Sequence, residues 1–374
     1  MKRVVVIFLL LALLPLRSLA LEPEGKSAVL MEASTGTVLF EQEADLPLAP
    51  ASVTKVMTML LIMEAIDSGA ISWEDTVTAS AAAAAKGGSQ VYLKEGETMS
   101  VRDMLKSIAV SSANDCACAM AEHIAGSEAA FVERMNQRAK ELGMEHTHFV
   151  NCTGLDDGPD AAEHRTTARD IAIMSRELLT KHPAIKDFTT IWMDTIRGGA
   201  FGLSNTTKLV RFYPGATGLK TGFTASAMYC LSASAERDGM ELIAVVLGAP
   251  SSAARFDTCK QLLDYGFAGW AVYTPELPEE TAVPVRLGKA ETVRAVLDTA
   301  PVLVEKGKKA SVRMETELPG EIPAPVAEGQ TLGALRIYAG EELLKEIPLT
   351  AGSAVERLTW WDVFLDLLKK AAFG

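Results

Sequence analysis

The chain reads as an α+β fold, with one antiparallel sheet flanked by helices, a helical subdomain inserted into it, and a small all-β domain after it. Three observations carry this. Extended, hairpin-like segments at residues 28–40 and 227–247 bracket a long helical stretch. The composition shifts after Trp270 to short alternating runs separated by turn residues. A last amphipathic segment closes the chain. Strands at both ends of a helical cluster are brought together most simply in a single sheet.

In order, apolar residues 28–31 and 37–40 flank Ser34-Thr35-Gly36 and read as a hairpin. A helix then opens at or just before Ser52, in PLAPASVTKVMTMLLIMEAIDSG, and stops at Gly69. Residues 75–89 form an alanine-rich connection, and residues 91–97 read as a short strand and turn. Ser100, with Asp103 three residues on, caps a helix that ends at Ser111. Helices follow at 115–125 and at 128–142, the latter stopped by Gly143. Residues 149–165 are loop-like. The next helix, 167–179, is capped by Thr166 or Thr167. Extended segments at 190–196, 227–235 and 240–247 precede a helix over 253–267. Asp238-Gly239 between the last two segments is a tight-hairpin signal.

Beyond Trp270, Pro275 and Pro278 mark a linker. Runs at 282–287, 292–297, 302–305, 310–315, 332–338 and 342–349 predict the all-β domain. In the tail, 354–373, Leu358, Trp361, Leu365, Leu368 and Ala372 recur at helical spacing, widened by Trp360, Phe364 and Leu367. Asp362, Asp366, Lys369 and Lys370 fall opposite. The segment is too short and too charged to span a bilayer, and its aromatics and terminal lysines suit a membrane interface.

With 374 residues, 48% of them hydrophobic, the chain can bury a large core, and its net charge of −12 argues against a nucleic-acid partner. Lys2 and Arg3, an apolar run over 4–14 and Ser18-Leu19-Ala20 form the pattern of an export signal. The expected organisation is a signal peptide over 1–20, a main α+β domain over 21–270, an all-β domain over 271–352 and a membrane-anchoring helix over 353–374. The protein is expected outside the cytoplasm, attached peripherally to the outer face of the cytoplasmic membrane. Its five cysteines match no zinc spacing; the odd number leaves at least one as a free thiol or an intermolecular bond, and most read as buried free thiols.

Three short elements carry chemistry. Ser52 and Lys55 are three apart at a helix start, so hydroxyl and amine share a face. A hydroxyl needs an adjacent base, and a lysine serves as one when burial or a nearby cation lowers its pKa. The helix N-terminus adds positive potential where an oxyanion forms. That spacing alone is weak, since a serine three before a lysine is expected about once by chance in a chain of this length. Ser112-Ala113-Asn114 lies between two helices and can aim a hydroxyl and an amide into a cleft, although Ser and Asn also cap helices routinely. Lys220-Thr221-Gly222, in GATGLKTGFT, reads as an edge strand able to meet a carboxylate, with a glycine that permits close backbone approach.

In this order and separation, Ser-x-x-Lys, Ser-x-Asn and Lys-Thr-Gly resemble the signature of serine penicillin-binding proteins and serine β-lactamases; a close version of this set is a known worked example. With GGSQVYLKEGE, SSANDCACAMAEHIAGS, HRTTARDIA and ERDGMELIAVVLGAP around them, the chain resembles low-molecular-weight penicillin-binding proteins of the serine-type D-alanyl-D-alanine carboxypeptidase family. The resemblance is strong over about residues 28–267. It implies the penicillin-binding-protein/β-lactamase-like fold, with Ser52 as nucleophile, Lys55 as base and Ser112 as proton relay. It further implies that Asn114 holds the substrate amide and the Lys55 side chain, and that Lys220 supplies positive potential. Thr221 and Arg255 are implied to hold the terminal carboxylate, and the amides of Ser52 and Phe223 to form the oxyanion hole, beside Gly222. The implied partners are peptidoglycan stem peptides ending in D-Ala-D-Ala, and β-lactams as acylating inhibitors, with no metal or cofactor.

Two departures stand out. Met228 occupies a position where relatives carry glycine, and Thr153 one where some carry histidine. A β-lactamase is the first competing reading, but no Glu-x-x-x-Asn element follows Asn114: Glu141 and Glu145 are followed at the fourth position by Glu145 and Phe149. A non-catalytic peptidoglycan-binding protein is the second, opposed by the intact Ser52, Lys55, Ser112, Asn114 and Lys220. Endopeptidase or transpeptidase action at the same site stays open.

Overall fold

Strand β1 (Ser27–Glu32) is apolar at four of its six positions and buried throughout, as a strand covered on both faces must be. The computed structural model describes residues 21–277, 281–298 and 301–373. The stretch 1–20, expected to be an export signal, lies outside them, as does Pro278. The chain divides into two compact units. One comprises residues up to Leu30, Phe40–Ser234 and Ile243–Asp264; the other comprises Met31–Leu39, Ala235–Leu242 and the chain from Tyr265 onward.

After β1, strand β2 (Val38–Gln42) completes the first hairpin. A 3-10 turn over Ala51–Thr54 runs into helix α1 (Lys55–Asp67), ten of whose residues are buried. A helix buried on nearly every side belongs at the centre of its domain. The helical cluster continues with β3 (Thr76–Thr78), α2 (Ala81–Ala84), β4 (Thr98–Ser100), α3 (Val101–Ser111), α4 (Asn114–Ala125), α5 (Glu128–Glu141), α6 (Ala168–Lys181) and α7 (Lys186–Thr189). Caps end these helices as the sequence predicts: the Ser100 hydroxyl accepts from Asp103 N at 3.1 Å, and that of Thr167 from Asp170 N at 3.1 Å. Next come β5 (Met193–Ile196), β6 (Phe201–Ser204), α8 (Leu209–Phe212), β7 (Ala216–Thr224), β8 (Met228–Arg237), β9 (Met240–Ala249) and α9 (Ser252–Gly269). Asp238 and Gly239 both take positive φ, 51° and 76°, as the two-residue turn joining β8 to β9 requires. The central sheet has the order β2-β1-β9-β8-β7, so β7 is an edge strand.

Residues 91–97 do not form the expected strand. The amides of Val91 and Leu93 donate instead to the buried carboxylate of Asp115, at 3.1 and 3.0 Å, which removes them from any ladder. The pairing falls to β4 with β3.

The second unit carries the all-β domain: β10 (Trp270–Tyr273), β11 (Ala282–Arg286), β12 (Thr292–Leu297), β13 (Val302–Glu305), β14 (Val312–Glu317), β15 (Ile322–Pro323), β16 (Thr331–Ala339) and β17 (Glu342–Ala351). Six strands form one sheet in the order β14-β16-β17-β12-β11-β15 around Val283, Val293, Leu335, Ile337 and Leu349. Residues 270–273, just ahead of the expected linker, pair with β13. Helix α10 (Trp360–Phe373) starts two residues after Leu358, the first residue of its apolar spacing. Leu358 N donates to Leu287 O, which keeps it on the β domain, and Thr359 and Asp362 then cap the helix reciprocally.

Candidate active site

The 3-10 turn and the first turn of α1 set Ser52 and Lys55 on one side of the helix start. Lys55 Nζ lies 3.0 Å from Ser52 Oγ and donates to Thr153 O at 2.7 Å. Lys55 is fully buried. Burial disfavours the ammonium and lowers its pKa to about 7. The neutral amine is therefore available at neutral pH and can accept the Ser52 proton along the same 3.0 Å contact.

Ser112 ends α3 in a left-handed conformation, φ 62° and ψ 29°, and is 3% exposed. Among the described residues no hydrogen bond joins its hydroxyl to Ser52 or Lys55. A non-glycine residue held at positive φ costs conformational energy and is found where the surroundings over-determine it. Asn114 opens α4. Its Nδ2 donates to Gly87 O at 2.7 Å, while its Oδ1 is buried with no partner. An unpaired buried carbonyl oxygen is an acceptor awaiting a donor.

Edge strand β7 supplies the opposite side. Lys220 is fully buried, with Nζ donating to Thr221 O at 2.9 Å. Burial, then repulsion from Lys55 and Arg255, pushes its pKa well below the ordinary lysine value. Burial lowers both amines, and the repulsion between Lys220 and Lys55 disfavours charging the two together. Thr221 Oγ1 donates to Thr206 Oγ1 at 2.7 Å. Gly222 is glycine for a reason internal to the chain: a Cβ there would lie 2.6 Å from Pro50 O and 3.1 Å from Ser52 N. This close approach brings the Phe223 amide to the neighbourhood of the Ser52 amide. The Phe223 ring is half exposed and packs on Tyr229 at 4.4 Å between centroids.

Arg255, on α9, donates through Nη1 to Gly222 O at 2.8 Å and to Cys230 O at 3.3 Å, with its guanidinium over the Tyr229 and Phe256 rings. It thus holds β7 directly. Its Nε is buried without a partner.

All nine residues singled out in the sequence lie in the first unit. Sequence reasoning missed three contributors. Thr153 acts through its carbonyl, which no side-chain pattern announces. Gly154 lies so close to Ala51 that an added Cβ would fall 1.8 Å from Ala51 O. His164 bonds Thr54 from the loop before α6. For the last two the sequence offered a glycine in a loop and a histidine ahead of the α6 cap; the positive φ of Gly154, 82°, shows only in the structure. Met228 has φ 58°, a conformation that glycine adopts without strain.

A two-unit chain with a mixed helix-and-sheet body and an all-β companion now has comparisons to set beside it. The D-alanyl-D-alanine carboxypeptidase family pattern matches residues 17–251, and that of the penicillin-binding protein 5 C-terminal domain matches 277–357. D-alanyl-D-alanine carboxypeptidase DacF of Bacillus subtilis is 43% identical over 361 residues, covering 95% of this chain and 90% of the relative. The carboxypeptidase DacC of Escherichia coli is 32% identical, covering 89% and 84%. The solved structure of penicillin binding protein 5 from Haemophilus influenzae superposes with a TM-score of 0.79 at 29% identity, over 90% of this chain and 98% of that one. Penicillin-binding protein D2 from Listeria monocytogenes, solved in an ampicillin-bound form, gives 0.61 at 33% identity, over 66% and 99%. The chain belongs to the D-alanyl-D-alanine carboxypeptidase family. The fold and family expected from the three motifs are borne out, and neither competing reading is favoured.

Proposed function

We propose that the protein is a serine-type carboxypeptidase that removes the terminal D-alanine from peptidoglycan stem peptides. The observation that carries this is the 3.0 Å contact between Ser52 Oγ and a buried lysine whose pKa is about 7. Neutral Lys55 takes the Ser52 proton as Oγ attacks the carbonyl between the two D-alanines. The Ser52 and Phe223 amides receive the oxyanion. Asn114 Oδ1, buried and unpaired, accepts the substrate amide N–H. Thr221 receives the terminal carboxylate, and Arg255 adds positive potential while fixing β7. The leaving amine takes its proton by way of Ser112, releasing D-alanine and an acyl ester on Ser52. Water, losing a proton to Lys55, cleaves the ester and restores Ser52. A β-lactam follows the first half of this path.

The family membership and the exposed apolar side chains of α10 support the wider reading of an exported enzyme resting on the outer face of the cytoplasmic membrane. Trp360, Trp361, Leu365, Leu367 and Leu368 are each at least half exposed. Among the described residues no helix is long and apolar enough to cross a membrane, in keeping with a helix that lies in the interface.

The test is the intact mass of the chain after brief exposure to penicillin, with Ser52→Ala beside it, followed by assay of D-alanine release from a D-Ala-D-Ala peptide. A long-lived adduct that Ser52→Ala abolishes, together with D-alanine release, is expected. Rapid penicillin turnover without an adduct makes the protein a β-lactamase. Neither adduct nor turnover removes the catalytic assignment.

A further inference from the structure

The turn that presents Ser52 is held in a conformation it would not choose. Ala51, the residue before it, has φ +50°, a left-handed conformation costly for any residue with a Cβ. Something must hold it there, and the surrounding contacts show what. Thr54 Oγ1 donates to Ala51 O at 2.8 Å. The same hydroxyl oxygen lies 2.7 Å from His164 Nε2. His164 Nδ1 accepts from Val150 N at 3.1 Å, so this nitrogen carries no proton in the neutral ring. The ring proton therefore sits on Nε2, and the bonds run in one direction: Nε2–H to Thr54 Oγ1, and Thr54 O–H to Ala51 O. A hydroxyl that accepts one bond is fixed in the direction of the one it donates. Gly154 closes over Ala51 O, leaving that carbonyl no room to turn the other way.

His164 is buried, and Thr54 more so. Burial first, then the charges of His148 and Lys55, lower the His164 pKa to about 4, so the neutral ring this arrangement needs is the form present at neutral pH. None of the chemical steps above uses His164.

We infer that His164 and Thr54 are positioning residues for Ser52: the imidazole orients the Thr54 hydroxyl, the hydroxyl pins the Ala51 carbonyl, and the pinned turn aims Ser52 Oγ at the acyl carbon beside Lys55. The inference rests on the reading of Ser52 as the nucleophile. It assigns to the HRTTARDIA stretch a part in the timing of acylation rather than in substrate binding.

The experiment uses the full chain and measures the second-order rate of acylation by a fluorescent penicillin, kcat and KM for a D-Ala-D-Ala peptide, and the thermal midpoint. Thr54→Val keeps shape and loses the hydroxyl. It is expected to slow acylation about 100-fold, the scale of an ångström-sized misplacement of a reacting group. KM should stay within about threefold, because the groups that hold substrate are untouched. Thr54→Ser restores the hydroxyl and the rate. His164→Gln, which retains a donor near Nε2, should react faster than His164→Leu. The Thr54→Val, His164→Leu double variant should be no slower than the slower single one, because both break the same chain of bonds. Nitrogen-15 spectra of His164 in the unmodified chain, which do not depend on any variant folding, should show a neutral ring protonated at Nε2.

Acylation of Thr54→Val at the unmodified rate, losses that multiply in the double variant, or a proton on Nδ1 would each overturn the inference. Failure of the carboxypeptidase reading would look different: the unmodified chain itself would take no penicillin and release no D-alanine.

Discussion

The buried lysines of the first unit and the last helix of the second break the ordinary rule of burial in opposite directions. Lys55 and Lys220 are fully buried, although each carries an amine that water would solvate well. Trp360 and Trp361 are 68% and 62% exposed, although both carry large apolar surfaces. The difference teaches what each region is for. A buried amine is useful where a proton must change hands, because desolvation moves its pKa toward neutrality. An exposed indole pair is useful where the partner is itself a surface, half apolar and half wet. Neither arrangement is explained by stability of the isolated chain.

The sharpest way to break this comparison is to remove the buried amine. Lys55→Ala should slow acylation by penicillin by about 100- to 10,000-fold, the usual range for loss of a general base. Stopped-flow measurement of adduct formation checks it. In the unmodified chain the reactive form is the neutral amine, so acylation should fall about tenfold per pH unit below about 7 and level off above it. A rate flat between pH 5 and 9 would show that Lys55 is not the base.

His164 extends the buried side of the comparison. Its pKa is lowered from 6.5 to about 4, so between those values the unfolded chain binds a proton that the folded chain refuses. Stability is then intact above pH 6.5 and falls as pH drops toward 4, by at most about 3 kcal/mol from this group. Urea unfolding of the unmodified chain against His164→Gln at pH 7 and pH 4.5 isolates that contribution, and equal slopes with pH would remove it.

The exposed side is tested by Trp360→Ser with Trp361→Ser. Burying a large apolar side chain is worth about 1.5–3 kcal/mol, so partitioning of the full chain onto lipid vesicles should weaken by roughly tenfold or more. Undiminished partitioning would leave the tail with no demonstrated surface to meet. The smallest effect is expected at Met228, another residue held at positive φ. Met228→Gly relieves the positive φ but gives the unfolded chain more freedom, for a net gain of about 0.5 kcal/mol. A thermal midpoint raised by a degree or two would register it.

Much of this was legible in the sequence because side-chain chemistry at fixed spacing survives without coordinates. Ser52 with Lys55, the Ser112-Asn114 pair and the Lys220-Thr221-Gly222 strand were found that way. The Ser100 and Thr167 caps and the Asp238-Gly239 turn were readable because local geometry demands those residue types. What escaped was backbone acting at long range. The Thr153 carbonyl holds Lys55 across 98 residues of sequence, and a carbonyl looks the same at every position. The 91–97 segment carries strand-like residues, but Asp115 takes its amides. Leu358 fits the helical spacing of the tail, yet a bond to Leu287 keeps it in the β domain. Gly222 was read as making room for substrate backbone. Its close approach within the chain, to the Pro50–Ser52 turn, was not announced by the sequence.

All five cysteines are free and buried. Burial raises every one of them, Cys230 to about 11 and Cys118 to about 12, with Cys116, Cys152 and Cys259 raised as well. Folded, the chain shows almost no thiolate to an oxidant or an alkylating reagent; unfolded, it shows five ordinary thiols. The molecule thereby carries its own gauge of opening. The pace at which a thiol reagent labels it reports how often the core comes apart, and oxidation of these thiols is confined to the chain before it has closed and to those openings.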